Sequence, residues 1–153
     1  MDNTPYRVMI PDLGPPIESL RIDIENRIYQ PIRLLKAGEK VLVGEEYWSE
    51  LTYKSTKEKE LILNYHEVAT RAKNLRVNLG EDDCNYILAH KDKIPAGLQG
   101  NIKILFTGYE FCMSRYGGVI YIYWNGNEWC EGYARYWMIC NPTSIIYALR
   151  RIK

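Results

Sequence analysis

The stretch Val119–Trp137, VIYIYWNGNEWCEGYARYW, decides the fold of this chain, because two strand-like runs flank the dipeptide Asn125-Gly126. It holds four tyrosines and three tryptophans in nineteen residues. Asn-Gly between apolar runs is the strongest short hairpin signal, since both residues accept a positive φ. The stretch therefore predicts a β-hairpin, and an antiparallel sheet around it.

Two registers of this hairpin differ in how they sort its side chains. A two-residue loop pairs Ile122 with Trp129 and mixes large and small residues on both faces. A three-residue loop, Asn125 to Asn127, pairs Tyr123 with Trp129 and separates the faces. One face is then apolar and carries Ile120, Ile122, Trp124, Cys130, Gly132, Ala134 and Met138. The other carries Tyr121, Tyr123, Trp129, Glu131, Tyr133, Arg135 and Trp137. Burial selects the register that segregates polar from apolar residues, so we favour the three-residue loop.

The aromatic face of this predicted hairpin is the candidate binding site. Tyrosine, tryptophan and arginine are the usual hot-spot residues of protein interfaces, and aromatic rings also stack on planar groups or sugars. Trp48 is an additional candidate. The alternative interpretation is that cross-strand aromatic pairs stabilise a solvated sheet face, or lie under a loop or a second subunit.

The remainder of the chain predicts one α+β domain over residues 1–153. A long amphipathic helix is expected over about 56–76, where apolar residues recur every three or four positions; they are Leu61, Tyr65, Val68, Ala69, Ala72 and Leu75. Strands are expected at YRVMI, IYQPIRLL, KVLV, EEYWSELTY, NYILAH and IKILFTG, with Pro31 at an edge. The fold of residues 12–30 is left open, and TSIIYALRRIK fits either a strand or a short helix.

Composition and charge indicate an ordinary soluble globular protein. Of the 153 residues, 46% are apolar and 25% are charged, and 20 basic against 19 acidic residues leave a net charge of +1. This balance argues against a binder of duplex DNA, which gains affinity by neutralising many phosphates. The N-terminus lacks the features of a signal peptide, and the longest apolar run, Val119–Trp124, is too short for a membrane span. We expect a cytoplasmic protein.

No motif in the sequence predicts catalysis, a cofactor or a metal site. His66 lacks the second histidine of a metalloprotease helix, and His90-Lys91-Asp92 lacks the wider spacing of phosphodiesterases of the phospholipase D type. The four cysteines are singly spaced, which does not fit a zinc site. Cys112 is the one thiol considered as a nucleophile.

One segment resembles a short sequence motif found in small accessory proteins of tailed bacteriophages and prophages. The motif consists of a Leu, a Gly-Glu pair, a Gly, an acidic pair and an aromatic residue, and residues 33–48, RLLKAGEKVLVGEEYW, contain these in order. Glu45 stands where the motif usually has Asp. The resemblance covers 16 of the 153 residues. It implies a binding protein that inhibits a bacterial defence system.

These observations together predict a non-enzymatic binding protein that acts through the aromatic face. The expected partner is a protein or a small nucleotide-like ligand, and a homo-oligomer is possible. Two alternatives stay open. One is a small enzyme acting on a nucleotide or phosphodiester through Cys112 or His90, and the other is a virion or structural subunit.

Overall fold

The computed structural model describes residues 6–14, 17–43, 62–63, 65–111, 117–135 and 143–153. These residues form nine strands: β1 (Tyr6–Met9), β2 (Ile22–Ile24), β3 (Arg27–Arg33), β4 (Lys40–Val43), β5 (Ile62–Leu63), β6 (Ile102–Phe111), β7 (Gly118–Trp124), β8 (Trp129–Arg135) and β9 (Ile145–Arg151). They also form helices α1 (Tyr65–Asn74) and α2 (Glu81–Leu88), followed by two 3-10 turns at Lys91–Lys93 and Ala96–Leu98.

The strands make two sheets. The larger has six strands in the order β2-β3-β9-β6-β7-β8, and the smaller has the order β1-β4-β5. All pairs are antiparallel except β4 with β5 and β6 with β9. The α+β class and the mostly antiparallel sheet are therefore as predicted.

Both faces of the six-stranded sheet are covered, and each has its own core. On one face, α1 and the smaller sheet pack on the strands; buried residues there include Val41, Val68, Ala72, Leu105, Val119, Ala134, Ile146 and Ala148. On the other face, α2 and the second 3-10 turn pack on the strands; buried residues there include Ile22, Ile24, Cys84, Ile87, Leu98, Phe106, Ile120, Trp129 and Tyr147. Each face of the sheet is therefore at least partly covered, whereas the predicted aromatic binding face requires one side of the hairpin to be exposed.

Helix α1 is shorter than predicted. It runs over Tyr65–Asn74, and Ile62–Leu63 form a strand beside β4, so one continuous helix over about 56–76 is wrong. The helical spacing itself is confirmed, since Tyr65, Val68 and Ala72 are buried. The helix ends where Arg76 takes a positive φ of 60° and the Val77 N–H donates to the Ala72 carbonyl, an arrangement that satisfies late helical carbonyls. Residues 56–61, the first part of the predicted helix, lie outside the described residues.

Helix α2 occupies part of a segment predicted as a strand. Asn85–His90 was expected to be extended, but Glu81–Leu88 is helical. Three acidic residues fill the first turn, where they interact favourably with the positive end of the helix dipole. Cys84 and Ile87, three positions apart, are buried against the sheet. Their burial and the acidic first turn together favour the helix over the strand that was predicted for Asn85–His90.

The other predicted strands that fall within the described residues agree with the structure, whereas the predicted strand EEYWSELTY, residues 45–53, lies outside them. Residues 12–30, left open before, contain β2 and the start of β3, joined by a turn at Glu25 with a positive φ of 44°. Pro31 lies on β3 beyond the last residue paired with β2, so the sheet edge is open there. The C-terminal segment is the strand β9. Within the described ranges, no helix has the length and apolar character that crossing a membrane requires.

Candidate functional site

The β7–β8 hairpin has a four-residue loop, so both registers considered from the sequence are wrong. Trp124 pairs with Trp129, and Asn125 to Glu128 form the loop. The Asn125 side-chain Oδ1 accepts hydrogen bonds from the N–H groups of Asn127 and Glu128, at 2.8 and 2.9 Å. Gly126 has a positive φ of 105°, whereas Asn125 does not have a positive φ. The asparagine therefore closes the loop with its side chain instead of forming a type I′ turn.

This register distributes the predicted aromatic face over both faces of the sheet. Tyr121 and Tyr123 lie on the α1 side, where Tyr121 packs against the buried cluster. Trp129 lies on the α2 side, 2% exposed, with its ring 5.9 Å from that of Trp124 in an edge-to-face arrangement. Glu131 shares this side of the sheet and is exposed.

Three further residues complete the predicted set. Tyr133 is half-buried beside the α2-side cluster, Arg135 is exposed at the end of β8, and Trp137 lies outside the described residues. Trp48 also lies outside them. The seven residues therefore do not form one continuous face.

Two of the tyrosines cover glycines of the neighbouring strand. The ring of Tyr121 lies over Gly132, where a Cβ would come within 2.7 Å of the ring, and that of Tyr133 lies over Gly118, where the distance would be 2.3 Å. An aromatic ring across a glycine restores packing that the missing side chain would have supplied. Tyr121 and Tyr133 thus have structural roles in the hairpin.

A tyrosine pair with a lysine remains half-buried on the α1 side. The rings of Tyr121 and Tyr123 are 5.6 Å apart, and the Lys103 ammonium lies 5.2 Å from the centre of the Tyr121 ring. Burial lowers the pKa of Lys103, and burial followed by the neighbouring Tyr123 raises the pKa of Tyr121. This patch combines polarisable rings with a cation beside strand β8.

The outer edge of β8 presents backbone groups that no other described strand uses. Among the described strands, β8 pairs with β7 alone. The Asn125 N–H donates to the Glu128 carbonyl at 3.1 Å, and hydrogen-bonded pairs alternate with non-hydrogen-bonded ones in an antiparallel ladder. Cys130 is thus the first β8 residue bonded to β7. The backbone N–H and C=O of Trp129 and Glu131 point away from β7.

A polar network fixes α2 to the strands β3 and β9. The Asp83 carboxylate accepts a hydrogen bond of 2.6 Å from the Tyr29 hydroxyl and lies 3.2 Å from the Arg27 guanidinium and 3.6 Å from that of Arg151. Arg27 also stacks 4.0 Å above the ring of Tyr86. Burial and the bond to Asp83 raise the pKa of Tyr29 to about 12. These groups satisfy one another, which indicates a structural role.

The Gly38-Glu39 pair of the motif shared with phage accessory proteins has a local structural explanation. Gly38 has a positive φ of 88°, and the Glu39 carboxylate accepts a hydrogen bond of 2.7 Å from the Lys36 N–H. The same carboxylate makes a two-point ion pair with Arg71 of α1, at 2.8 and 2.6 Å. The pair thus closes the β3–β4 turn and fixes α1 to it. Residues 44–48 of this motif lie outside the described residues.

An open groove of about 300 Å³ lies between α1, the segment after it and strand β6. We call it the α1–bulge groove; it is lined by His66, Ala69, Thr70, Lys73, Asn78 and Thr107. It forms because β6 bulges: the pairing with β7 skips from Phe106 to Glu110. Helical spacing alone puts His66, Thr70 and Lys73 on one side of α1. Thr107 joins them only through the tertiary fold.

The residues considered for catalysis are not grouped into a catalytic arrangement in the described part of the chain. The His90 Nδ1 donates to the Tyr86 carbonyl at 2.8 Å, at the end of α2. Cys84 is buried, and burial raises the pKa of its thiol to about 12. Cys130 is half-buried, and Cys112 and Cys140 lie outside the described residues. The described residues contain no cluster of three or more histidine, cysteine or acidic side chains that could hold a metal ion.

Comparison of the chain with protein-family models, with curated proteins and with solved structures finds no match.

Proposed function

We propose that this protein is a non-enzymatic binding protein that takes up an extended segment of a protein partner along the outer edge of β8. The observation that carries the proposal is the place of β8 at the end of the six-stranded sheet, with the backbone groups of Trp129 and Glu131 directed outward. An extended segment that adds to a sheet edge gains main-chain hydrogen bonds, and its alternate side chains reach both faces of the sheet.

The side chains beside this edge support the proposal. A strand added to β8 passes Cys130 and the neighbouring Tyr123 on the α1 side of the sheet. On the α2 side it passes the exposed carboxylate of Glu131. Four of the predicted binding residues are thus on the strand that the added segment pairs with; they are Trp129, Glu131, Tyr133 and Arg135. Main-chain pairing supplies affinity, and the flanking aromatic and charged side chains supply selectivity.

The resemblance of residues 33–48 to phage accessory proteins supports a component of a bacterial defence system as the partner. Sheet edges also pair with copies of themselves. Self-association that depends on the same edge would mean that a second copy competes with the partner for this strand.

Replacing Glu131 with proline tests the proposal. Peptides that bind the protein are first selected from a displayed random library, and their affinities are then measured for wild type, Glu131→Pro and Glu131→Ala. The proline removes the outward N–H but none of the bonds to β7, so we expect at least a tenfold loss of affinity. The alanine keeps that N–H and should retain binding within about threefold.

Amide hydrogen exchange provides the second readout. A peptide bound at the edge should slow exchange of the Glu131 amide, because its N–H becomes hydrogen bonded. Equal affinities of wild type and Glu131→Pro, with circular dichroism showing that both are folded, would rule out strand addition at β8.

A further inference from the structure

The Thr107 hydroxyl of the α1–bulge groove is buried without a hydrogen bond. Thr107 is 6% exposed, and its Oγ1 has no partner in the part of the chain that the structure describes. A buried hydroxyl without a partner is destabilising, whereas valine has the same shape and carries no such cost. The hydroxyl therefore needs an explanation beyond packing.

The bulge that carries Thr107 is held in place by the backbone. The Gly108 N–H donates to the Leu79 carbonyl at 2.9 Å, and a Cβ at Gly108 would lie 2.5 Å from the Asn78 carbonyl oxygen. Bulges often redirect a side chain next to a functional site. This one places Thr107 at the groove, beside α1 and the segment that follows it.

The remaining lining supplies donors of hydrogen bonds and a positive charge. His66, Thr70 and Lys73 lie on the exposed side of α1, and Asn78 faces them from the following segment. Lys73 forms no ion pair with another described residue, and none of the described residues that line the groove is acidic. The neighbouring groove on the other side of Thr70 differs, because Arg71 there is already paired with Glu39. The α1–bulge groove is thus suited to an anion.

We propose that the α1–bulge groove binds the phosphate group of a small molecule. A phosphate presents acceptor oxygens in several directions, which matches donors arriving from a helix, a connecting segment and a strand. A carboxylate has two oxygens in one plane and matches such an arrangement less well. The Lys73 ammonium supplies the charge, and the Thr107 hydroxyl gains the acceptor that it lacks. The groove's volume is at the lower end of the range of small-molecule sites.

Titration with sodium phosphate tests this proposal by NMR. At constant pH and ionic strength, we expect saturable shifts of the backbone amides in residues 66–73, 78 and 107. Lys73→Met and Thr107→Val should each weaken binding at least about tenfold, because each removes one strong interaction with the anion. Lys93→Met, an exposed lysine on the first 3-10 turn, is the matched control and should bind like wild type.

Thr107→Val separates loss of binding from loss of folding. Its melting temperature should equal or exceed that of wild type, because the valine removes a buried hydroxyl that has no partner. Reduced phosphate affinity in this stable variant therefore reports the hydroxyl itself.

A comparison of phosphate, adenosine monophosphate, adenosine and acetate identifies the source of the anion. Equal affinity for phosphate and the nucleotide assigns the site to free phosphate, and tighter binding of the nucleotide assigns it to a phosphorylated small molecule. Adenosine should cause no shift at these amides. Equal shifts with acetate, absence of saturable shifts, or shifts that Lys73→Met and Thr107→Val leave unchanged would overturn the proposal.

Discussion

Trp129→Ala is expected to lower the free energy of unfolding by about 3–5 kcal/mol, the usual cost of removing a large buried aromatic side chain. Trp129 is 2% exposed and belongs to the cluster on the α2 side of the sheet. Its removal leaves a cavity beneath α2 and takes away the edge-to-face contact with Trp124. A domain of this size has a total stability of roughly 5–15 kcal/mol, so the loss is a large fraction of the total and the variant should unfold at a clearly lower urea concentration than wild type.

Urea denaturation followed by circular dichroism measures this loss, and Trp124→Ala is the matched control. Trp124 pairs with Trp129 but is only half-buried, so we expect a loss of roughly 1–2 kcal/mol. Similar small losses in both variants would mean that Trp129 faces water. That result would support the aromatic binding face predicted from the sequence.

Asp83→Ala is expected to cost about 2–4 kcal/mol. The Asp83 side chain is 14% exposed and is the common partner of Tyr29, Arg27 and Arg151. Without it the fully buried Tyr29 hydroxyl loses its carboxylate acceptor, and two guanidinium groups lose a counter-charge. The helix α2 should then detach from β3 more readily.

The adjacent Asp82 provides the control for this prediction. It also pairs with Arg27, at 3.2 Å, but its side chain is 81% exposed. Surface ion pairs of this kind contribute little to stability, so Asp82→Ala should melt close to wild type. Equal losses of stability in the two variants would contradict this prediction. They would show that the negative charge at the start of α2 stabilises the protein, and that the buried network around Asp83 does not.

Much of the local structure could be predicted from the sequence, because it depends on short-range pattern. Tyr65, Val68 and Ala72 follow helical spacing and are buried in α1, and Tyr121 and Tyr123 lie on one face of β7 as a strand period requires. The start of α1 could not be placed, because pairing of Ile62 with β4 is a tertiary contact. Helix α2 was missed because its eight residues bury only Cys84 and Ile87.

The prediction of the hairpin register was wrong for a different physical reason. The choice of a three-residue loop assumed that one face of the sheet is buried and the other solvated. In the structure both faces are covered, so Trp129 is stabilised on the α2 side and Ala134 on the α1 side. The Asn125 side chain, which accepts two N–H bonds, is the local signal that favours the longer loop.

The candidate sites depend on contacts between distant parts of the chain. Strand β8 is an edge only because β9 pairs with β3 and β6 in the middle of the sheet. Thr107 reaches the α1–bulge groove only because β6 bulges beneath the segment after α1. No spacing in the sequence encodes either arrangement.

The measurement that tests the central claim most directly is a nuclear Overhauser spectrum of the β7–β8 hairpin. The four-residue loop makes Ile122 and Glu131 a non-hydrogen-bonded pair, whose Cα atoms are about 4.5 Å apart in antiparallel sheets. We predict a strong Hα–Hα contact between these two residues, which places Trp129 on the buried face and directs the Glu131 backbone outward. A strong Hα–Hα contact between Tyr121 and Glu131 would contradict it.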